Sequence, residues 1–179
     1  MTGWGRRAAP PRADEATDDA EPVAPERASG LARLSLKGRA LKLLSMREHS
    51  RLELERKLRA HETQAGELAA LLDALAARGF ISDERVADSV LHRRAGKLGA
   101  SRVKAELQAK GLDEAVVREA VEQLRGSEVE RAREVWRKKF SQPPTDAKER
   151  AKQIRFLAAR GFSGEAVRRA IEGGEEERD

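Results

Sequence analysis

Apolar side chains recur through the middle of the chain at the three- and four-residue spacing of a helix. Wound at about 100° per residue, Val129, Ala132, Val135, Trp136 and Phe140 fall on one side of a helix, with Arg131 and Lys138 opposite. Trp136 and Phe140 are therefore expected in a core rather than as a platform for stacking bases. No stretch alternates β-branched with polar residues for long enough to make a strand. Ala, Leu, Glu, Arg and Lys dominate, and these side chains lose little rotamer freedom in a helix. The predicted fold class is all-α.

The punctuation between helices is repetitive. Ser50-Arg51-Leu52-Glu53 and Ser127-Glu128-Val129-Glu130 both have the S-x-x-E form, in which serine and glutamate satisfy orphan amides at a helix start. Ser82, Asp113, Thr145 and Ser163 are further predicted N-caps. Gly79, Gly111 and Gly161 each follow a basic residue (Arg78, Lys110, Arg160) and precede a large apolar one. That order predicts a helix ending in a left-handed glycine, with an apolar contact just beyond it.

The helices themselves repeat. Leu107-Gln108-Ala109-Lys110-Gly111-Leu112 aligns with Leu157-Ala158-Ala159-Arg160-Gly161-Phe162 at an offset of 50, and Val117 to Val121 continues against Val167 to Ile171. Leu54-x-x-x-Leu58 aligns with Val103-x-x-x-Leu107 at an offset of 49. Leu75 to Phe80 mimics 157–162 at a different place in its unit. The expectation is three tandem three-helix repeats over 34–80, 82–125 and 127–172, forming an elongated, curved helical array.

Composition changes the picture at the ends. Residues 1–30 hold four of the six prolines and almost no large apolar groups, so a disordered tail is expected there, with Trp4 lacking an evident role. Residues 173–179 are expected to be a frayed acidic tail. Residues 31–170 carry 31 basic and 20 acidic side chains, whereas both ends are net acidic. A basic body suggests affinity for an acidic surface, of nucleic acid or protein. There is no cysteine, which removes disulfide and thiolate chemistry and fits a reducing cytoplasm. No apolar run approaches the roughly 20 residues that span a bilayer, and Met1 to Ala13 has no apolar core of a secretory signal.

Catalytic patterns are missing. His49, His61 and His92 lie in different segments without metal-ligand spacing and are expected to be ordinary surface or helix-end residues. There is no phosphate-cradling G-x-x-x-x-G-K-[ST] loop, and Gly96-Lys97-Leu98-Gly99 is a turn between helices. No G-x-S-x-G elbow occurs either. Glu53, Glu55, Glu128 and Glu130 sit among arginines and are expected to be helix-surface ion pairs. The chain is expected to be neither an enzyme nor a holder of metal or cofactor.

Residues Ala40 to Leu58 (ALKLLSMREHSRLELERKL) closely resemble the opening of RecX family proteins. So do Asp83-Glu84-Arg85-Val86-Ala87, then Arg93-Arg94, Gly99, Arg102-Val103-Lys104-Ala105-Glu106-Leu107 and Lys110-Gly111-Leu112. The third match is Arg137-Lys138-Lys139-Phe140, followed by Arg155 to Phe162 (RFLAARGF). Each is generic alone; in this order, across about 34–172, they are specific. The family usually has Phe where Val86 stands and Tyr near Leu98, and the tail 1–30 is additional. The resemblance implies three tandem three-helix repeats. It also implies a protein that binds in the groove of the RecA–DNA filament, blocking ATP turnover, strand exchange and coprotease activity, or capping filament growth.

Candidate contacts in the middle repeat are Arg93, Arg94, Lys97, Arg102, Lys104 and Lys110. In the third repeat they are Arg137, Lys138, Lys139, Arg155, Arg168 and Arg169. Arg94 shares a wheel side with Val90, Leu91 and Leu98 and is alternatively a partly buried structural arginine. The competing function is a DNA-binding regulator, by phosphate contact or helix-turn-helix. Asn is absent and the glutamines are scattered, which disfavours base reading. A generic helical scaffold is the third reading. Nothing in the chain signals an oligomer, so a monomer is expected.

Overall fold

The computed structural model describes residues 34–140 and 142–176; residues 1–33, with the proline-rich segment and Trp4, lie outside them. All regular structure among the described residues is helical. The first unit holds α1 (Leu36–Met46), α2 (Arg51–Leu58), a 3-10 turn over Arg59–His61, and α3 (Glu67–Ala77). The second holds α4 (Asp83–Arg94), α5 (Ala100–Ala109) and α6 (Glu114–Arg125). The third holds α7 (Glu128–Lys139), α8 (Ala147–Ala158) and α9 (Gly164–Glu176). No described helix is long and apolar enough to cross a membrane.

Each unit has its own apolar core. Leu54, Leu58, Leu68, Leu72 and Leu75 pack together in the first unit. Val86, Val90, Val103, Leu107, Val117 and Leu124 do so in the second. Ala132, Trp136, Leu157, Phe162, Val167 and Ile171 do so in the third. Fully burying one such Leu or Val is worth about 1.5–3 kcal/mol, so these stripes are what hold short helices together. The more extensive helix-to-helix packing lies inside the units, and the units join mainly through helix ends.

Those ends follow the sequence in most places. Gly79, Gly111 and Gly161 have φ of 73°, 71° and 82°, the left-handed stops their context predicts. Ser50 caps α2 in a complete capping box with Glu53. Ser82, Asp113 and Ser163 accept from the amides of Arg85, Ala115 and Ala166.

Three local expectations need correction. Asp146, not Thr145, caps α8, accepting from the Glu149 amide at 2.7 Å, while Thr145 donates to the Glu149 carboxylate. Ser127 makes no cap bond; its hydroxyl accepts from Arg131 instead. Helix α9 runs through Gly173 to Glu176, so the chain is helical past 173, with the Arg133 guanidinium lying where a Cβ on buried Gly173 would stand; residues 177–179 lie outside the described residues.

Candidate partner-binding surface

The same joint is made twice between consecutive units. At the first joint the N-terminus of α2 meets the C-terminal turn of α5, where the Ser50 hydroxyl donates to the Lys110 carbonyl at 2.6 Å. At the second joint the N-terminus of α5 meets the C-terminal turn of α8. There the Gly99 amide donates to the Arg160 carbonyl at 2.9 Å, and the Ser101 amide to the Gly161 carbonyl at 3.2 Å. In both cases the left-handed glycine lies directly beneath the arriving helix. A Cβ on Gly111 would sit 2.9 Å from Leu52 Cδ2, and one on Gly161 would sit 2.6 Å from the Arg102 amide nitrogen. The glycines thus do two jobs: they stop one helix and admit another. Sequence reasoning found the first, and the second depends on a neighbour that no local pattern announces.

Electrostatics differ between the joints. At the first, Glu53 takes Lys110 Nζ at 2.7 Å and Arg47 at 3.2 Å, along with the Ser50 amide at 3.2 Å. Burial works to raise the Glu53 carboxyl, but these hydrogen bonds outweigh it and hold it at about 2. His49 lies 3.6 Å from the same carboxylate and is 2% exposed, its Nδ1 buried without a hydrogen bond. Burial first, then the Arg47 charge, pushes its pKa down. Of the two places the sequence allowed, surface or helix end, His49 takes the helix end, directly before the Ser50 cap and buried in the first joint, where burial disfavours its charged form.

At the second joint the buried carboxylate is Glu128, which accepts from the Ala100 amide at 3.0 Å and the Ser163 hydroxyl at 2.7 Å. Glu53 is thus ion-paired as expected but within a joint rather than on the surface, and Glu128 is a joint residue held by hydrogen bonds. Arg131, placed on the solvent side by its helix wheel, instead donates to the carbonyls of Ala95, Leu98 and Leu124 at 2.7–2.9 Å.

The basic residues singled out from sequence divide into three groups. Lys110 is spent on Glu53 inside the first joint, with its side chain only 14% exposed. Several others are exposed but paired: Arg94 with Glu106 at 2.9 Å, Arg168 with Glu172 at 3.1 Å, Arg169 with Glu165 at 3.6 Å and Lys138 with Glu134 at 4.0 Å. Arg93 returns to its own helix, donating to the Ser89 carbonyl at 3.0 Å, and exposed Arg137 is also engaged. Lys97, Arg102, Lys104, Lys139 and Arg155 are exposed and hold no hydrogen bond or ion pair among the described residues. Of these, Arg102 and Lys104 lie on α5, Arg155 on α8, and Lys97 and Lys139 at the ends of turns and helices. Sequence reasoning missed Arg160, whose guanidinium stacks 3.5 Å from the Phe156 ring centre.

A cleft of about 350 Å³ opens between α5 and α6, with Leu112, Val117 and Val121 below and Lys104, Arg118 and Glu122 around it. Among the described residues no His, Asp and Glu cluster is placed to hold a metal ion.

Known proteins give this architecture a context. A family model described as "RecX, second three-helix domain" matches residues 82–121, and one described as "RecX, third three-helix domain" matches 127–171. A protein named regulatory protein RecX from Leptothrix cholodnii is 51% identical over 152 residues, covering 85% of this chain and 97% of that protein. The protein of the same name from Ralstonia pickettii is 49% identical over 143 residues, covering 80% and 90%. The crystal structure of RecX from Lactobacillus salivarius superposes with a TM-score of 0.65 at 21% identity, covering 79% of this chain and 95% of that one, which speaks for the fold.

Proposed function

This chain belongs to the RecX family of regulatory proteins, and from that premise we propose that it is a non-enzymatic negative regulator of RecA. In this reading it binds the RecA–DNA filament and restrains its ATPase, strand-exchange and coprotease activities. The observation that carries the reading is a set of exposed cations, Lys97, Arg102, Lys104, Lys139 and Arg155, that have no partner among the described residues, on consecutive units that each have their own apolar core. Surplus positive charge on a preformed helical scaffold steers association with an acidic surface and sets its register. A chain of three-helix units suits a partner that is itself repetitive, because the scaffold repeats.

The test is steady-state ATP hydrolysis by the cognate RecA on single-stranded DNA, with this protein added well below one per RecA. Strong inhibition at that ratio is the expected result. No inhibition, together with salt-sensitive binding to bare DNA, would replace the proposal with a DNA-binding regulator.

A further inference from the structure

The two joints are built alike, and the comparison exposes a charge that is missing. In the register set by the buried pairs Leu54 and Leu58 on α2, and Val103 and Leu107 on α5, Arg102 stands where Glu53 stands. By their left-handed glycines, Gly111 and Gly161, Arg160 stands where Lys110 stands. The first joint therefore closes on an anion and a cation 2.7 Å apart. The second has a cation at both positions.

The side chains respond accordingly. Lys110 reaches across its joint to Glu53. Arg160 is folded back along α8, donating to the Phe156 carbonyl at 3.0 Å and lying on the Phe156 ring. Arg102 is exposed, its stem over Gly161, with no carboxylate among the described residues. Lys97, two residues before the joint residue Gly99, is also exposed and unpaired among them. Glu128, the carboxylate that does lie at this joint, is already committed to Ala100 and Ser163.

We infer that Arg102 and Arg160, flanked by Lys97, form an anion seat at the joint between the second and third units that takes a carboxylate side chain from an acidic protein surface. The carboxylate is favoured because the first joint fills the corresponding place with one. Guanidinium forks match its geometry with paired hydrogen bonds, which an ammonium cannot do. Occupation of the seat ties two units through one ligand, so it would also stiffen the joint. The inference rests on the proposed function for the identity of the partner, a RecA filament, but not for the existence of the seat.

The test uses the full chain with Arg102→Glu, which supplies the missing carboxylate internally and pairs it with Arg160. Lys148→Glu, the same charge change at an exposed site away from the joint, is the control. Arg102→Glu should unfold at a temperature no lower than the native protein. It should bind RecA filaments at least tenfold more weakly, while Lys148→Glu stays within threefold and binding to a bare oligothymidylate changes less than twofold in either.

Unchanged filament binding by a folded Arg102→Glu would overturn the seat. Parallel loss of filament and oligothymidylate binding, with the salt slope for the latter falling by about one, would overturn the carboxylate in favour of a phosphate. If the native protein does not act on RecA at all, the proposed function fails separately. The seat is then judged by a labelled oligoglutamate peptide: at least fivefold weaker binding by Arg102→Glu supports it, and equal binding refutes it.

Discussion

The side chain of Ser50 is bonded at both ends, accepting from the Glu53 amide at 3.2 Å and donating to the Lys110 carbonyl at 2.6 Å. One hydroxyl thus starts α2 and fastens the first unit to the second. Its residue is 1% exposed, so neither bond has water as a ready substitute. Loss of an N-cap alone costs about 1 kcal/mol, and a buried carbonyl left unpaired costs about 1–3 kcal/mol more. Ser50→Ala is expected to lower unfolding free energy by about 2–4 kcal/mol, read from urea melts. A loss under 1 kcal/mol would mean the joint reseals without the hydroxyl.

A comparison of glycines separates their two jobs. Gly79 and Gly161 share the left-handed conformation, but a Cβ on Gly79 meets nothing within 4 Å whereas one on Gly161 runs into Arg102 backbone at 2.6 Å. Gly79→Ala should cost about 1 kcal/mol, the strain of the left-handed residue. Gly161→Ala must also push α5 off α8 and is expected to cost about 3 kcal/mol, since a clash with backbone cannot be relieved by a rotamer change. Thermal midpoints of the two variants, measured side by side, decide it; equal losses would show that the approach over Gly161 is soft.

How much of this was legible follows from the range of each interaction. Helix stops at Gly79, Gly111 and Gly161 and the capping box at Ser50 are local, and residues within five positions state them. The repeat was legible because Val103 and Leu107 must fill the same role as Leu54 and Leu58. The joints were not. Arg131 looked solvent-facing because a helix wheel knows one core, and α7 has a second neighbour in the α4–α5 turn. The helix-end position of His49 is local, but its burial comes from contacts that only the folded chain assembles. The cation pair at Arg102 and Arg160 was hidden because its meaning lies in the contrast with Glu53 and Lys110, which sequence register alone places at slightly different offsets.

The first joint should weaken with acid in two windows. His49 is held below its ordinary 6.5 by burial, so the unfolded chain binds its proton more readily. Stability from its neutral form is complete above about pH 6.5 and is lost as pH falls toward the depressed folded value. Glu53 goes from 4.5 to about 2, so its contribution is complete above about pH 4.5 and is lost as pH falls toward 2. Linkage sets that second contribution at about 3 kcal/mol at most. His49→Gln should flatten the stability profile just below about pH 6.5, and Glu53→Gln should flatten it below about pH 4.5. Profiles parallel to the native one in those windows would place the acid sensitivity elsewhere.

Arg131 closes the second joint with three carbonyls, those of Ala95 and Leu98 on the α4–α5 turn and of Leu124 near the end of α6. Phe162 lies 5.9 Å beneath the guanidinium, and burial lowers its pKa, yet arginine stays charged throughout the ordinary pH range. Only a planar fork reaches acceptors from two helix ends at once. Arg131→Lys retains the charge but has one short ammonium head, so at least one carbonyl loses its donor, at about 1–3 kcal/mol. Arg131→Met keeps much of the stem's packing and strands all three, with an expected loss of about 3–5 kcal/mol. Hydrogen exchange should show where that loss falls. In Arg131→Lys the amides of Gly99 and Ser101, which bond across the joint, should exchange faster, while those in the core of α6 hold. Uniform acceleration through the second and third units would instead mean that Arg131 supports the units themselves and not the joint between them.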